Sequence, residues 1–347
     1  MKRTVFTTVL LAMAGFTLVS ILYFHRAAAA RPASGTTLKQ VATIDLPGPP
    51  GKRFDYLTID YDDGYLLSAH LGAGLLYVID LKTNKVVMTI PDVPGVEGVE
   101  YVPGLKKIYT SDWLEKKIGV IDLRQGKVIA KLAAQQKPDG SAYAPPFYKL
   151  YVSDERARTE IVVDVQTDKI VNTLNFKSET GMPQYDPVAK LIYVNLQELD
   201  TMTVIDPVSD KVKTPVYEVH PCKGNHGMAL DSEHRRAFLV CEDNNLMAVI
   251  DLENRRVITT LPTADGGDVI KYDPGLKRIY VACYSGAISV FQEDDPDHFR
   301  KLEDFPVQHK VHSLAVDERT HLVYVPEQEE NGKPVARMIV YEPGGSH

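Results

Sequence analysis

One recurring segment, first seen at residues 76–87, constrains the fold of this chain more than any other feature. It joins an apolar run that ends in Asp80 to a second run that begins at Lys85. The aspartate returns after 42, 42, 42 and 45 residues, at Asp122, Asp164, Asp206 and Asp251. Two degenerate copies continue the register at residues 290–292 and 340–342. A fixed period of this size is the signature of a repeat architecture, in which every unit is one supersecondary element.

Each unit has the signals of four short strands. Runs such as Leu150–Ser153 are β-branched and aromatic, and Gly, Pro, Asp or Asn residues bound them. Another apolar segment precedes each of these runs and ends in an aspartate turn, as in Leu57–Asp60. No segment longer than a turn has helical periodicity. Seven units of four strands predict an all-β fold, a seven-bladed β-propeller.

The two ends of the repeat array predict how the ring closes. The seventh unit ends at residues 340–342 and lacks its outermost strand. The segment Gln40–Pro47 resembles Lys85–Pro91, which is the outer strand of the first unit. An N-terminal strand is therefore expected to complete the last blade, which pairs two edges that would otherwise promote aggregation. The propeller is assigned to residues 40–343, with a short tail at 344–347.

The N-terminal residues 1–30 have the pattern of a targeting segment. Lys2 and Arg3 precede an apolar run over residues 5–24, and small residues at 27–30 offer a cleavage site. The run approaches the length that spans a bilayer, so a cleaved signal peptide and an uncleaved N-terminal membrane anchor are both compatible with it. Either case predicts an exported domain, periplasmic or secreted, that follows a tether at residues 31–39.

The charge balance narrows the class of partner. Without residues 1–30 the chain has 36 basic against 46 acidic residues, a net charge of −10. This surface disfavours nucleic acid and anionic lipid, so membrane contact is expected only through an uncleaved leader. It favours a cationic small ligand, a divalent metal or a protein partner with a basic surface. A closed ring with paired edges has no need to associate, and a monomer is expected.

The three cysteines lie at related positions of neighbouring units. Cys222 falls in the loop that enters blade five and Cys241 ends the second strand of that blade, so the two are expected on one face. In an oxidising compartment they predict a disulfide, which leaves Cys283 over. The alternatives are three buried free thiols, or a metal site that joins Cys222 to His220 or His226.

Superposing the units places ionisable residues at one mouth of the central channel. The first residues of the seven innermost strands form a ring: Asp55, Glu97, Asp139, Gly181, His226, Asp268 and His312. A second ring, at the ends of the second strands, reads His70, Asp112, Asp154, Leu196, Cys241, Cys283 and Glu327. Carboxylates and imidazoles gathered at one mouth repel one another unless something neutralises them.

A ligand-binding mouth is therefore predicted from the six ionisable residues of the first ring. His70 and Asp112 of the second ring join it, and the neighbouring Trp113 offers a surface for stacking. A divalent metal is one candidate occupant. Its predicted ligands are Asp139, His226, Asp268 and His312. For an isolated aspartate such as Asp55, a turn in which the side chain bonds its own backbone is the alternative.

Two other sets of repeated residues are predicted to be structural. The repeat aspartates, beginning with Asp80, are expected to end the third strand and to cap the turn to the fourth. Tyr109 and its equivalents Tyr151, Tyr193 and Tyr280 are expected to pack between blades.

The motifs resemble a known family. Ile108–Ser111, Leu150–Ser153 and Ile192–Asn195 are each followed by a Val-Ile-Asp or similar strand and a Lys-initiated strand. They resemble the Tyr-Val-Thr-Asn (YVTN) repeat β-propellers, often called YncE-like, over residues 40–343. The resemblance implies a seven-bladed ring and an exported protein, with a scaffolding or ligand-binding role. The family supplies no catalytic motif to transfer.

Two functional hypotheses remain. The first is an exported, non-catalytic binding module that recognises a metal, a cationic small ligand or a partner protein at the mouth. The second is a divalent-metal-dependent hydrolase of the lactonase type, with Glu97, Asp139 and Asp268 as ligands and His226 or His312 as general base. No nucleophile elbow, Walker loop, dinucleotide fingerprint, HExxH or CxxCH motif is present. The asparagine that gluconolactonase-type propellers place at matching depth is also missing, so binding is favoured.

Overall fold

The computed structural model describes residues 37–344, which form seven four-stranded antiparallel blades. The predicted leader at 1–30, residues 31–36 of the tether and residues 345–347 of the tail lie outside the described residues. Over residues 37–344, no helix has the length and apolar character needed to span a bilayer. The predicted all-β propeller is confirmed.

The first strand, β1 (Leu38–Asp45), belongs to the last blade, and the others follow in chain order. Blade one contains β2 (Leu57–Asp60), β3 (Tyr65–His70), β4 (Leu75–Asp80) and β5 (Lys85–Ile90). Blade two contains β6 (Val96–Val102), β7 (Lys107–Asp112), β8 (Lys117–Asp122) and β9 (Lys127–Ala133). Blade three contains β10 (Pro138–Ala144), β11 (Lys149–Asp154), β12 (Thr159–Asp164) and β13 (Lys169–Asn175).

The remaining blades repeat this order. Blade four contains β14 (Thr180–Asp186), β15 (Leu191–Leu196), β16 (Thr201–Asp206) and β17 (Lys211–Glu218). Blade five contains β18 (Asn225–Asp231), β19 (Arg236–Cys241), β20 (Leu246–Asp251) and β21 (Arg256–Pro262). Blade six contains β22 (Gly267–Asp273), β23 (Arg278–Cys283), β24 (Ala287–Asp295) and β25 (His298–Pro306). Blade seven contains β26 (Ala315–Val316), β27 (Val323–Glu330) and β28 (Lys333–Pro343). Four short 3₁₀ turns lie at Leu71–Ala73, Pro145–Phe147, Glu155–Ala157 and Gln197–Leu199.

The N-terminal strand closes the ring as predicted. β1 pairs antiparallel with β28, with Leu38 opposite Pro343 and Asp45 opposite Arg337, so the last sheet has the order β26-β27-β28-β1. The strand begins at Leu38, two residues inside the segment assigned to the tether. Pairing both ends of the chain in one blade leaves neither of these edges open.

The repeat aspartates cap turns, as predicted. The Asp80 carboxylate accepts hydrogen bonds from the backbone N–H and the hydroxyl of Thr83, at 2.7 and 2.8 Å. Asp122 accepts from the backbone of Arg124 at 2.8 Å in the same turn of blade two. Satisfying these turn N–H groups fixes the tight connection from the third to the fourth strand.

The repeated tyrosines pack between blades and bind the next unit. Tyr151 is fully buried and donates a hydrogen bond to Asp210 of blade four at 2.6 Å. The ammonium of Lys149 contacts the same carboxylate at 2.6 Å. Tyr109 and its neighbour Lys107 bind Asp168 of blade three in the same way. A Lys-x-Tyr pair in the second strand thus ties one blade to the turn of the next.

A disulfide joins Cys222 to Cys241, with their Cα atoms 5.1 Å apart, and Cys283 is a buried free thiol. The predicted pairing is confirmed, so the alternatives of three free thiols and of a cysteine metal ligand are wrong. A disulfide hints at an oxidising environment. It ties the loop that enters blade five to the end of β19.

Candidate functional site

The first residues of the inner strands converge on a cavity of about 150 Å³ at one mouth of the channel. Four members of the predicted first ring line it, from blades one, three, five and six: Asp55, Asp139, His226 and Asp268. Five further residues complete its wall: Arg53, Tyr56, Lys137, Glu155 and Glu242. The mouth therefore contains two strong cations that the sequence superposition did not place there.

Arg53 neutralises the blade-one side of the mouth. Its guanidinium lies 2.9 Å from the carboxylate of Asp55, which is 3% exposed. The same guanidinium donates from Nε to Nε2 of His312 at 3.1 Å, and Nδ1 of His312 lies 3.0 Å from the carbonyl oxygen of Lys310. Because a guanidinium only donates, Nε2 accepts and Nδ1 carries the proton. In this contact His312 orients Arg53. Burial opposes protonation of the ring, whereas the Asp55 carboxylate, 3.6 Å from Nε2, raises the pKa of His312.

Lys137 neutralises the side formed by blades two and three. Its ammonium lies 3.2 Å from Asp139 and 3.8 Å from Glu97, and it also binds Glu155. Burial, with the nearby charges of Asp139 and Asp55, raises the pKa of Glu97 to about 10. Glu97 is therefore protonated at neutral pH, which removes one more negative charge from this side.

Asp154 explains why Lys137 points into the mouth. Its carboxylate accepts hydrogen bonds from the backbone N–H groups of Gln135, Gln136 and Lys137 at 2.5, 3.0 and 2.6 Å. The end of β11 thereby fixes the loop that leads into β10. An aspartate of the predicted second ring acts here as a positioning residue for a lysine.

The opposite side of the mouth contains a group that we call the mouth triad: His226, Glu242 and Asp268. One possible ligand atom from each residue lies within 4.8 Å of the other two. Nε2 of His226 lies 3.5 Å from the Asp268 carboxylate and 3.1 Å from the hydroxyl of Tyr56. Burial of the ring opposes its protonation, but the surrounding carboxylates, first Glu242 and then Asp268, raise the pKa of His226 to about 9.

Close packing of the inner strands positions the triad. Asn195 of blade four donates to the carbonyl oxygen of His226 at 2.8 Å. A Cβ at Gly181 would come within 2.9 Å of that carbonyl oxygen, and one at Gly227 would overlap the carbonyl oxygen of Asp268. Glycine is required at both positions because neighbouring inner strands approach too closely for a side chain.

Five of the nine predicted ligand-binding residues do not line the mouth cavity: Glu97 and His312, which contact Lys137 and Arg53 of its wall, and His70, Asp112 and Trp113. His70 is fully buried, stacks on Phe54 with ring centroids 4.0 Å apart, and contacts the Tyr77 hydroxyl at 2.9 Å. Burial lowers the pKa of His70 to about 4, so the ring is a neutral packing residue. Asp112 is also fully buried, and Trp113 is half-buried outside the cavity wall.

The four predicted metal ligands separate into different environments. His226 and Asp268 belong to the mouth triad, whereas Asp139 binds Lys137 and His312 binds Arg53. The carboxylates that the hydrolase hypothesis required, those of Glu97, Asp139 and Asp268, form no three-ligand cluster between residues 37 and 344.

The residues that sequence reasoning missed occupy repeat positions next to the two rings. Arg53 and Lys137 come two residues before the first ring, at positions that read Arg53, Gly95, Lys137, Glu179, Gly224, Gly266 and Lys310. Glu155 and Glu242 follow the second ring, at positions that read Leu71, Trp113, Glu155, Gln197, Glu242, Tyr284 and Gln328. A superposition of the repeats that includes these two rows would identify Arg53, Lys137, Glu155 and Glu242 as mouth residues.

The fold and the lined channel define this protein as a seven-bladed β-propeller. A solved structure described as "Structure of U3-55K" is similar to it, with a TM-score of 0.74 over 88% of this chain and 100% of the other. The two sequences are 13% identical, so the likeness concerns the fold alone. No family profile and no curated protein matches the sequence.

Proposed function

We propose that this protein is an exported, non-catalytic binding module whose channel mouth binds a divalent cation at the mouth triad. The convergence of three ligand atoms within 4.8 Å carries the proposal. One imidazole nitrogen and two carboxylate oxygens suit a transition metal such as Zn²⁺. The cavity of about 150 Å³ has room for water molecules that complete the coordination.

The charge distribution of the mouth supports a cation at the triad rather than elsewhere. Arg53 and Lys137 already compensate the carboxylates on blades one to three. Within residues 37–344, no Lys or Arg lies within 4.0 Å of the carboxylates of Glu242 or Asp268. The two carboxylates favour a positive charge on His226, and a divalent cation that displaces the imidazole proton takes over their neutralisation.

The exported location and the family are part of the same proposal. The charged and apolar pattern of residues 1–30 supports export, and the Cys222–Cys241 disulfide suits an oxidising compartment. The repeat motifs support a place among the YncE-like propellers. The disulfide also serves the site, because Cys241 directly precedes Glu242 and Cys222 lies four residues before His226.

Zinc titration of the full exported protein, purified without chelator or a histidine tag, tests the proposal. Isothermal titration should give one saturable site, and His226→Ala or Asp268→Asn should weaken it by at least about tenfold, since each removes a ligand. His298→Ala is the matched control, because His298 is exposed and pairs only with Asp295 on an outer hairpin. Binding that survives both triad variants would contradict the proposed site.

A second cluster makes the location of the cation testable. Asp231, His234 and Glu293 also offer three atoms within 4.8 Å of one another. His234 is already held by Asp231, with Nδ1 2.7 Å from the carboxylate, and Glu293 accepts a hydrogen bond from Tyr272. His234→Ala should therefore leave zinc affinity unchanged. Turnover of a lactone panel by the wild-type protein would contradict the non-catalytic part of the proposal.

A further inference from the structure

A second, larger cavity of about 400 Å³ lies along the same channel. Residues of the inner strands of blades one, two, three, four and six line it. Tyr56 lines both this cavity and the mouth cavity, and it is only 5% exposed. The tyrosine therefore stands between the two spaces, and its hydroxyl contacts His226 on the mouth side at 3.1 Å.

The lining of this channel cavity combines apolar surface with a few polar groups. Its apolar and aromatic members include Met182, Pro145, Pro187, Tyr143 and Tyr185. Its charged members are Glu100 from β6 and Lys271 from β22. This composition and volume are typical of small-molecule pockets, in which a few polar groups orient a ligand within an apolar wall.

Glu100 and Lys271, an acidic and a basic side chain, do not form an ion pair with each other. Within the described part of the chain neither has an ion-pair partner within 4.0 Å. Burial raises the pKa of Glu100 to about 8 and lowers the pKa of Lys271, and each group feels the charge of the other only at a distance. Burial therefore disfavours the charged form of each group, and a ligand that brings an ammonium to Glu100 and a carboxylate to Lys271 stabilises both charged forms.

We propose that the channel cavity binds a small zwitterion, an α-amino acid or a short peptide. The carboxylate of the ligand contacts the ammonium of Lys271, and its own ammonium contacts the carboxylate of Glu100. An apolar side chain packs against Tyr143, Tyr185 and Met182. This site is separate from the cation site at the mouth.

The charge requirement gives a direct test on the full exported protein. The standard L-amino acids are screened by saturation-transfer NMR, and L-phenylalanine is then compared with 3-phenylpropionate and phenethylamine, which each lack one charge. Phenylalanine should bind at least about tenfold more tightly than either analogue, a difference of about 1.4 kcal/mol. Lys271→Met and Glu100→Gln should each abolish that preference, while Lys177→Met, at an exposed lysine, should keep it.

The outcomes separate this inference from the proposed cation site. Asp268→Asn should leave phenylalanine binding unchanged, since Asp268 lines only the mouth cavity. Thermal melting checks that each variant is folded. If Lys271→Met does not fold, Glu100→Gln, which preserves the shape of the side chain, provides the test. Equal binding of the two analogues and phenylalanine would overturn the proposal. Unchanged preference in both cavity variants, or no binding of any standard amino acid, would overturn it as well.

Discussion

His226 and Asp268 lie on neighbouring blades, with Nε2 of the imidazole 3.5 Å from the carboxylate. Both residues occupy the same position in their repeats, and the circular arrangement of the blades brings them together. Because Gly227, beside His226, packs against the carbonyl oxygen of Asp268, the backbone as well as the side chains fixes this pair. The site is therefore a property of the inner-strand packing, and changes to that packing should affect it.

Gly227→Ala should destabilise the protein because its Cβ would overlap the backbone carbonyl of Asp268. Overpacking of this kind costs about 1–3 kcal/mol. Gly140→Ala is the milder comparison on an inner strand, since its Cβ would lie 3.2 Å from the Cα and the Cγ of Met182, a looser contact than the overlap at Gly227. Urea unfolding measures the unfolding free energy of both variants. Equal losses in the two variants would show that the contact between inner strands is not as tight as described.

Lys137→Met should cost about 3–5 kcal/mol at neutral pH, because it leaves buried carboxylates of the mouth without their cation. Lys131→Met is the control. Lys131 also binds two carboxylates, Asp92 and Glu115, but on the outer surface, where such pairs contribute about 1 kcal/mol or less. Denaturant unfolding of the two variants compares them, and a similar loss in both would contradict the neutralising role of Lys137.

The unfolding free energy of Asp112→Asn, relative to that of the wild type, should increase as the pH rises. Burial raises the pKa of Asp112 from 3.8 to about 7, so the folded protein holds this proton more tightly than the unfolded chain. The stability gained in this way is present in full below pH 3.8 and is lost as the pH rises through about 7. Asparagine has no proton to lose, so the variant avoids that loss.

For Asp122→Asn the unfolding free energy relative to wild type should change with pH in the opposite direction. This variant is therefore the comparison for Asp112→Asn. The side chain of Gln125 lowers the pKa of Asp122, so this carboxylate stabilises the fold above its unfolded pKa and loses that effect as the pH falls. Unfolding free energies measured across the pH range should therefore diverge for the two variants. Parallel pH profiles would contradict the burial of Asp112.

The Cys222–Cys241 disulfide closes a loop with a sequence separation of 19 residues. Its loss in Cys222→Ser/Cys241→Ser should lower the unfolding free energy by about 3 kcal/mol under the chain-entropy description. Zinc affinity should fall as well, because Glu242 loses its link to the loop before His226. Cys283→Ala is the control. Alkylation of unfolded, unreduced protein should label Cys283 alone, and three labelled thiols would contradict the bridge.

The fold was predictable because the repeat encodes it many times. Five units carry the same aspartate turn and at least four carry the same tyrosine, so the strand count follows from the period even where single units are degenerate. Ring closure followed from matching Gln40–Pro47 to the outer strand of the first unit. β1 begins at Leu38, two residues before the start given by the pattern, and β2 begins at Leu57, two residues after Asp55.

The site was predictable only in part. The position of a residue in the repeat indicates where on a strand it lies, but it does not indicate which groups its side chain contacts. Asp55, Asp139, His226 and Asp268 do line one cavity. His70 occupies an equivalent position in the second ring, but Phe54 and Tyr77 hold its ring inside the blade. Long side chains from adjoining loops, above all Lys137, reach into the mouth from repeat positions next to the two rings, which the superposition did not include.

The most direct test of a cation at the mouth triad is an anomalous-scattering map from crystals of the protein grown with Zn²⁺. One strong peak is expected between His226, Glu242 and Asp268, at about 2.0–2.2 Å from the imidazole nitrogen and the carboxylate oxygens. The peak should disappear in Asp268→Asn and persist in His298→Ala. A peak at Asp231, His234 and Glu293 instead, or no peak within the channel mouth, would contradict the proposed cation site.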